Sequence, residues 1–590
     1  MVIKFSTFIA CFISFYLIGN FFVKKYYVSF GINTKYLKAS ESVILGIFLF
    51  GSFTFIFNFF YKINSIFFYS SFFLLLTYIF FKTKKYKVEF SQIKNILIFS
   101  FFTFILTFSL ESGYDAGYYH LPHQNIIRED KIVFGLSNFH HVLGKSSFYG
   151  YLVAPLWIKN NLIILPNIQI IFFSFLLLFF YEISKVNKER SIFVLLILFT
   201  IPFWLKLAPI KWGLVDFPFG VVFFLSVIYS ILIFNSKDKN EIKHFFIISI
   251  FLNCLTIFLK PTGFIIGLLT LTNIYYVLKK NFFSLREILI IGIFPSVILL
   301  LWFLKGFINT SCFIYPFPFS CFDTSWGTIS DAHLNLTTTK NYTVIVFDLI
   351  KNYFNFSVTY IYLISFITFF LIIYLHNLLT TLKFKISNNF FFILITFIFF
   401  AELMLFNKDI NFERENLTLV KILNQFIYFV SLLIIFYLTV LFSFDLKKIN
   451  LKKFDFEAIP LIFSVIIITL WLISAPIPRL AFSFFGAFFA SFFFLIKKDN
   501  FSNINYKITR KLIRLFLITL TVSYGFFLNY DFKKLNFSAI YPPRVDTEPR
   551  YIFGVKPLNG QKCWNISWCS PQDKKDVRMI EVKTYKFFIR

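Results

Sequence analysis

Runs of apolar residues, each close to the length of one membrane crossing, alternate with short polar segments along almost the whole chain. They lie near residues 3–22, 42–60, 64–81, 95–110, 162–181, 191–207, 214–234, 243–259, 262–278, 287–305, 356–376, 389–406, 420–443, 458–474, 479–496 and 512–529. A helix needs about 20 apolar residues to cross roughly 30 Å of hydrocarbon, so the pattern predicts about sixteen membrane helices. The runs on either side of Lys260-Pro261-Thr262-Gly263 count as two on this reading. The first run, about Val2 to Val23, has no obvious small-residue cleavage site and reads as the first helix rather than a removed signal peptide. The fold class expected is an all-α polytopic membrane protein.

The polar segments between the runs are of two kinds. One kind is short and basic: Lys24, Lys25, Lys35 and Lys38; Lys82, Lys84, Lys85 and Lys87; Lys185, Lys188 and Arg190; Lys237, Lys239 and Lys243; Lys279, Lys280 and Arg286; Lys383 and Lys385; Lys447, Lys448, Lys452 and Lys453; Lys497, Lys498, Lys507, Arg510 and Lys511. With the helices counted as above, all of these fall on one side, which the positive-inside rule places in the cytoplasm. The other face holds residues 111–161, residues 306–355 and the tail after about 530. It also holds short turns with Lys206, Lys211, Asp216, Lys260, residues 407–421 and Arg479. Long loops confined to one face tend to carry function. The expected division is a transmembrane domain over 1–529, with external loops 111–161 and 306–355, and a small, β-rich extracytoplasmic appendage over 530–590. No internal repeat is visible.

Composition sharpens this picture. The chain has 590 residues, 58% of them apolar, with 96 phenylalanines and a mean hydropathy of +0.74, which excludes a soluble globule. A net charge of +29 would suggest nucleic acid in a soluble protein. Here the basic residues sit in loops between apolar runs, so no nucleic-acid partner is expected. Of the six cysteines, Cys11 and Cys254 lie in apolar runs and read as packing residues. Cys312 and Cys321 share one loop, and Cys563 and Cys569 share the tail; pairing fits an oxidising compartment. Cys563–Cys569 would close a short loop and staple a small appendage.

The candidate chemistry is concentrated in Glu111 to His123, a polar segment directly after an apolar run. Ionisable residues at a membrane boundary are costly to keep and point to function. Asp115 is the leading catalytic candidate, since a carboxylate there can take a proton from an acceptor hydroxyl; the competing role is a helix cap. Glu111 would share its helix face if Gly113 leaves the helix intact. Glu129 and Asp130 end the next amphipathic stretch and read as solvated. His120 and His123 stand one helical turn apart, and with His140 and His141 place four of the seven histidines in one loop. A divalent metal is one use for them; hydrogen bonding to a phosphate or sugar is the other, and no acidic ligand set has the spacing of a metal site. Lys206, Lys211, Lys260, Lys305 and Arg479 flank apolar runs. Singly, each would snorkel to the interface; as a set, they could hold a lipid diphosphate, with the Arg479 guanidinium gripping in a forked geometry. Trp302 and Tyr315 fit an interfacial aromatic belt.

Three stretches carry a resemblance. Tyr114-Asp115-Ala116-Gly117-Tyr118-Tyr119-His120-Leu121-Pro122 resembles the acidic motif in the first large external loop of the GT-C superfamily of integral membrane glycosyltransferases, of the dolichyl-phosphate-mannose and aminoarabinose transferase type. Trp302 to Pro316 is similar to the helix end and Tyr-Pro stretch of bacterial members, and Pro476-Ile477-Pro478-Arg479 to the start of a late helix. The tail from Gly560 to Pro571 resembles that of uncharacterised bacterial membrane proteins in the group. Many members have two adjacent acids in the first loop, where this chain has Asp115 followed by Ala116.

The resemblance implies a polyprenyl-phosphate-linked sugar as donor, a glycan, lipid or protein as acceptor, and inversion at the anomeric carbon. Asp115 would be the general base, with Tyr118, Tyr119, His120 and His123 shaping the sugar or phosphate pocket. Lys206, Lys211, Lys260 and Arg479 would hold the leaving phosphate. The chain would sit in a bacterial inner membrane with its active face extracytoplasmic, serving cell-envelope polysaccharide synthesis. No cofactor is implied beyond the metal option. Two alternatives share the lipid-linked glycan: a transporter or flippase, which predicts pseudo-symmetric halves, and a polymerase or ligase, which carries its main external loop late in the chain rather than early.

Overall fold

The computed structural model describes residues 2–83, 89–108, 110, 112–113, 115–145, 147–157, 162, 164–207, 210–327, 329, 332, 456–474, 478–494, 506–528, 546–550, 553–558, 562–564, 566–570 and 577–589. The expected helices over 356–376, 389–406 and 420–443 lie outside these residues, as does most of loop 306–355 beyond its first third. The chain forms two compact units: Met1–Ile183 with Pro209–Lys340 and Asp531–Arg590, and Ser184–Ala208 with Asn341–Tyr530.

The first unit is built from α1 (Val2–Ser29), α2 (Ala39–Phe60), α3 (Ile66–Thr83), α4 (Phe90–Phe104), the loop helices α5 (Leu121–Glu129), α6 (Leu136–Phe139) and α7 (Phe148–Val153), α8 (Leu165–Ile183), and α10 (Asp216–Asn235), α11 (Lys239–Leu259), α12 (Ile266–Lys279) and α13 (Leu285–Thr310). Helix α9 (Lys188–Leu207) belongs to the second unit. Each long helix occupies one apolar run of the sequence. Among the described residues, eight helices are long and apolar enough to cross a membrane, as in a multi-pass membrane protein. Helix α13 opens on a capping box, in which Ser284 and Glu287 satisfy each other's backbone N–H groups.

Helices α1 and α2 cross backbone to backbone. A side chain on Gly19 would strike the Ser42 carbonyl, and one on Gly46 the Phe15 carbonyl. Small residues allow this approach, and close packing replaces the hydrophobic drive that lipid cannot supply.

The basic turns of the first unit meet at one end. Tyr36, between α1 and α2, donates to Asp238 between α10 and α11. Glu182, at the end of α8, accepts from the Ala39 and Ser40 amides at the start of α2, both at 3.0 Å. Lys243 on α11 stands 3.9 Å from Glu287 on α13. The other end gathers the described residues of 112–157, the 210–216 turn, Lys260, residues 311–327 after α13 and the described tail.

The tail contributes two antiparallel ribbons, β1 (Thr547–Pro549) with β2 (Val555–Pro557) and β3 (Arg578–Val582) with β4 (Tyr585–Ile589). They pack onto the loop of the first unit. Phe134 exchanges backbone bonds with strand β4, its amide reaching the Lys586 carbonyl at 2.9 Å and its carbonyl accepting from the Phe588 amide at 3.0 Å. Val577 and Phe588 share an apolar cluster with Ile126, Val133, Leu136, Phe139 and Leu143. Neither the loop nor the ribbons could bury such a core alone.

The described part of the second unit packs α9 with α14 (Ile459–Ser474), α15 (Pro478–Phe494) and α16 (Tyr506–Leu528). Phe193 meets Phe494 edge-on at 5.1 Å, and Tyr506 donates to the Lys185 carbonyl at 3.1 Å.

Candidate functional site

Asp115 stands at the head of a wide, π-type turn, Ala116–His120, that runs straight into α5. Pro122 brings no N–H to close an ordinary helical turn at this point, and the Leu121 amide reaches back five residues to the Ala116 carbonyl. Widened turns of this kind are frequent at functional sites. Asp115 is half-buried, and its side chain makes no capping hydrogen bond to the turn. The capping role open from the sequence is therefore not the one it plays. Glu111 and Tyr114 lie outside the described residues.

The turn is held from two sides. On one side Ser112 bridges Trp212, and the Gly113 amide donates to the Trp212 carbonyl at 3.2 Å. Gly213, at φ +80°, has its α-carbon so close to Ala116 that a side chain there would come within 2.5 Å of the Ala116 methyl. On the other side the Trp564 amide donates to the Gly117 carbonyl at 2.7 Å. The Trp564 ring lies where a Gly117 side chain would be, 2.8 Å from the position of its Cβ. Trp564 belongs to the tail loop closed by the Cys563–Cys569 disulfide.

Further tail contacts fix the loop. Trp568 donates to Asp130 at 3.0 Å, and Lys586 pairs with the same carboxylate at 2.9 Å. Ser567 donates to Glu129 and accepts from Asn125. Glu129 and Asp130 are thus not the solvated acids their sequence position suggests. Their partners arrive from more than 400 positions away, which no local pattern can show.

Tyr118, Tyr119, His120 and His123 all lie on the turn or on α5. Tyr118 meets His140 edge-on at 5.4 Å, and Tyr119 lies against His120 at 4.2 Å while also packing on the Phe588 cluster. His123 is buried, with 6% of its surface exposed. Burial, then the positive charges of Lys305 and His120, hold its imidazole well below its ordinary value, so it is neutral at pH 7. Among the described residues, no group of three or more His, Cys, Asp or Glu is placed to hold a metal ion.

The cations are distributed more widely than a single cluster. Lys260 forms an ion pair with Asp216, the first residue of α10, and lies 5.9 Å from the Phe219 ring. Lys211 is half-buried beside Trp212, on the turn that braces Asp115. Lys206 and Arg479 lie in α9 and α15 of the second unit, and their side chains are outside the described residues.

Of two residues read as interfacial, Lys305 is interior and Trp302 is half-buried. The Trp302 ring packs against those of Phe55, Phe148 and Phe258 at 5.3, 6.0 and 5.5 Å. Lys305, 2% exposed, does not snorkel: its Nζ lies 4.4 Å from the Trp302 ring and 5.5 Å from that of Tyr151.

Sequence reasoning also passed over Glu41 and His244. Glu41 accepts from Tyr229 at 2.6 Å, from His244 at 3.1 Å and from Lys38 at 3.2 Å, while Tyr27 bonds the other ring nitrogen of His244. The signal was present, since Glu41 borders an apolar run and His244 lies within one.

No curated protein and no solved structure matches the chain. The model of one family, described as a domain of unknown function, DUF8201, matches residues 1–412, which include all of α1 to α13 and the Asp115 loop, and the chain belongs to that family.

Proposed function

We propose that this protein is a membrane glycosyltransferase of the GT-C type. It moves a sugar from a polyprenyl-phosphate donor to an acceptor hydroxyl at the extracytoplasmic face. Asp115 is the general base, and the displaced phosphate leaves from the opposite side of the anomeric carbon, which inverts. Tyr118, Tyr119, His120 and the neutral His123 offer rings and nitrogens to the sugar and phosphate. Lys211 and Lys260 on the adjoining turns offset the charge that grows on the leaving phosphate. The cell context is a bacterial inner membrane.

The observation that carries the reading is the placement of Asp115: half-buried and on a π-type turn braced by the 212–213 backbone and by Trp564. Rigid support of this kind is what a general base needs to meet its proton in the transition state. Two disulfides, Cys312–Cys321 and Cys563–Cys569, support an oxidising compartment for this end.

The test is transfer in membranes supplied with a radiolabelled polyprenyl-phosphate sugar. Asp115→Asn should lose roughly 10²–10⁴-fold in transfer with expression and insertion unchanged. Transfer near the parent rate would remove Asp115 as the base. Donor carried across the membrane without being consumed would replace the reading with a transporter.

A further inference from the structure

Well inside the spans of α10, α11 and α12, six polar side chains meet, two from each helix. Ser226 and Ser230 stand one turn apart on α10, Asn253 and Thr256 on α11, and Thr270 and Asn273 on α12. Three contacts close them into a ring. Ser226 meets Thr256 at 3.1 Å, the Asn253 amide donates to Thr270 at 2.8 Å, and the Asn273 amide donates to Ser230 at 2.9 Å. Thr270 is half-buried and the other five are buried. Residues 217–235, 245–259 and 262–278 include no Asp, Glu, Lys, Arg or His, so the ring is built from neutral groups alone. None of the six has a role in the reading above.

The hydroxyl protons of the ring are spent on the backbone. Each hydroxyl donates to the carbonyl four residues back on its own helix: Ser226 to Val222 at 3.0 Å, Ser230 to Ser226 at 3.1 Å, Thr256 to Leu252 at 2.8 Å and Thr270 to Ile266 at 3.0 Å. A hydroxyl has one proton, so the Ser226–Thr256 contact gains one only if a backbone bond gives it up. The side-chain oxygens of Asn253 and Asn273 are buried and accept no hydrogen bond among the described residues. Exchanging the ends of either amide does not cure this, because Thr270 and Ser230 have no proton left to give an oxygen. A buried acceptor without a donor costs about 1–3 kcal/mol, and two stand in this one ring.

Holding helices together accounts for the hydroxyls and the amide nitrogens, which are common links between membrane helices. It does not account for the two amide oxygens, since an apolar side chain at either position would carry no such penalty. Four oxygens, Asn253 Oδ1, Asn273 Oδ1, Ser226 Oγ and Thr256 Oγ1, are left in need of a positive partner. One water brings two protons, while one cation serves all four. With no carboxylate in the ring, a divalent ion would keep its full charge in the bilayer. Neutral oxygens are able to replace the hydration shell of a monovalent one. The 3.1 Å between the Ser226 and Thr256 oxygens suits a small ion, whose neighbouring ligands stand close together.

We propose that this ring is a sodium-ion site, held by the Asn253 and Asn273 amide oxygens with the Ser226 and Thr256 hydroxyls. The ion links α10, α11 and α12, so the unit is more stable with it than without it. The site does not rest on the transferase reading and uses none of its residues.

The test uses the full chain in nanodiscs. It measures equilibrium binding of radiolabelled sodium, and the melting temperature in NaCl or choline chloride at equal ionic strength. Sodium binding should saturate, and the melting temperature should rise with NaCl alone. Asn273→Leu and Ser226→Ala should each weaken binding at least about tenfold, the loss usual when a metal site is deprived of an ordered neighbour. Thr272→Ala, on α12 but outside the ring, should bind as the parent does. Asn253→Asp adds a charge and should bind sodium more tightly, which a site holding only water would not. Asp115→Asn should bind sodium normally, so failure of the transfer chemistry leaves this result standing. Absence of saturable sodium binding by the parent, or equal melting temperatures in the two salts, would overturn the proposal and leave a water in the ring. So would unchanged binding in Ser226→Ala, which removes a single oxygen and keeps the test decisive if Asn273→Leu does not fold.

Discussion

Glu41 and Asp115 are carboxylates at opposite ends of the same helical unit, and their surroundings differ in kind. Glu41 is 1% exposed and takes Tyr229, His244 and Lys38 as donors, tying α2 to α10 and α11, while Tyr27 of α1 joins through His244. Asp115 is half-buried, makes no capping bond, and sits on a turn whose backbone is held by other segments. In the first region the carboxylate is the means of holding helices together. In the second the surrounding chain holds the carboxylate.

The comparison breaks first at Glu41. Glu41→Leu leaves His244, Lys38 and Tyr229 without their shared acceptor, and should cost about 3–5 kcal/mol, the range for removing one partner of a buried charged pair. Thermal unfolding in detergent would show it, and a loss below about 1 kcal/mol would deny that this network holds the helices.

At the outer end the corresponding lever is the tail. Opening the Cys563–Cys569 loop with Cys563→Ser and Cys569→Ser should cost about 2 kcal/mol by loop-closure entropy. Because Trp564 holds Gly117, the same variant should lower transfer by more than the unfolded fraction explains. Rates per folded molecule that match the parent would show that the strap is only structural.

His123 gives a pH signature. Its folded-state value lies well below the ordinary value of about 6.5. The unfolded chain therefore takes up a proton that the folded chain refuses as pH falls below about 6.5. Its contribution to stability is complete above that pH and is lost on acidification, at up to about 1.4 kcal/mol per pH unit. His123→Gln should flatten the fall in melting temperature between pH 6.5 and 5. An unchanged slope would mean that the imidazole is charged in the fold.

The smallest effect is at the exposed rim of the basic end. The hydrogen bond from Tyr36 holds the Asp238 carboxyl below the usual carboxylate range and pushes the Tyr36 hydroxyl up to about 12. The aspartate contribution is present above its unfolded value and lost in acid; the tyrosine contribution is present below its unfolded value and lost as pH rises toward 12. Solvent screens both, so Tyr36→Phe should change stability by less than about 0.5 kcal/mol at pH 7.

The long helices were readable because a membrane helix writes itself as a continuous apolar run, with no partner needed to recognise it. Pairing of cysteines close in sequence, Cys312 with Cys321 and Cys563 with Cys569, was readable for a similar reason: short separation leaves few alternatives. The segment around Asp115 stood out because polar residues there interrupt an apolar pattern. What the sequence hid were contacts made across the chain. Asp130 looks solvated until Lys586 and Trp568 arrive. Lys305 looks like an interfacial lysine until Trp302 and Tyr151 enclose it. Nothing near Ala116 or Gly117 in the sequence announces that Gly213 and Trp564 will press on them.

The most direct test sets the two carboxylates against each other in one assay. Asp115→Asn and Glu41→Gln would be purified from the same membranes and compared for melting temperature and for sugar transfer per folded molecule. The account predicts that Asp115→Asn melts with the parent and transfers nothing measurable, while Glu41→Gln melts lower and keeps its rate per folded molecule. An Asp115→Asn protein that transfers normally, or a Glu41→Gln protein that melts with the parent but has lost transfer, would contradict it.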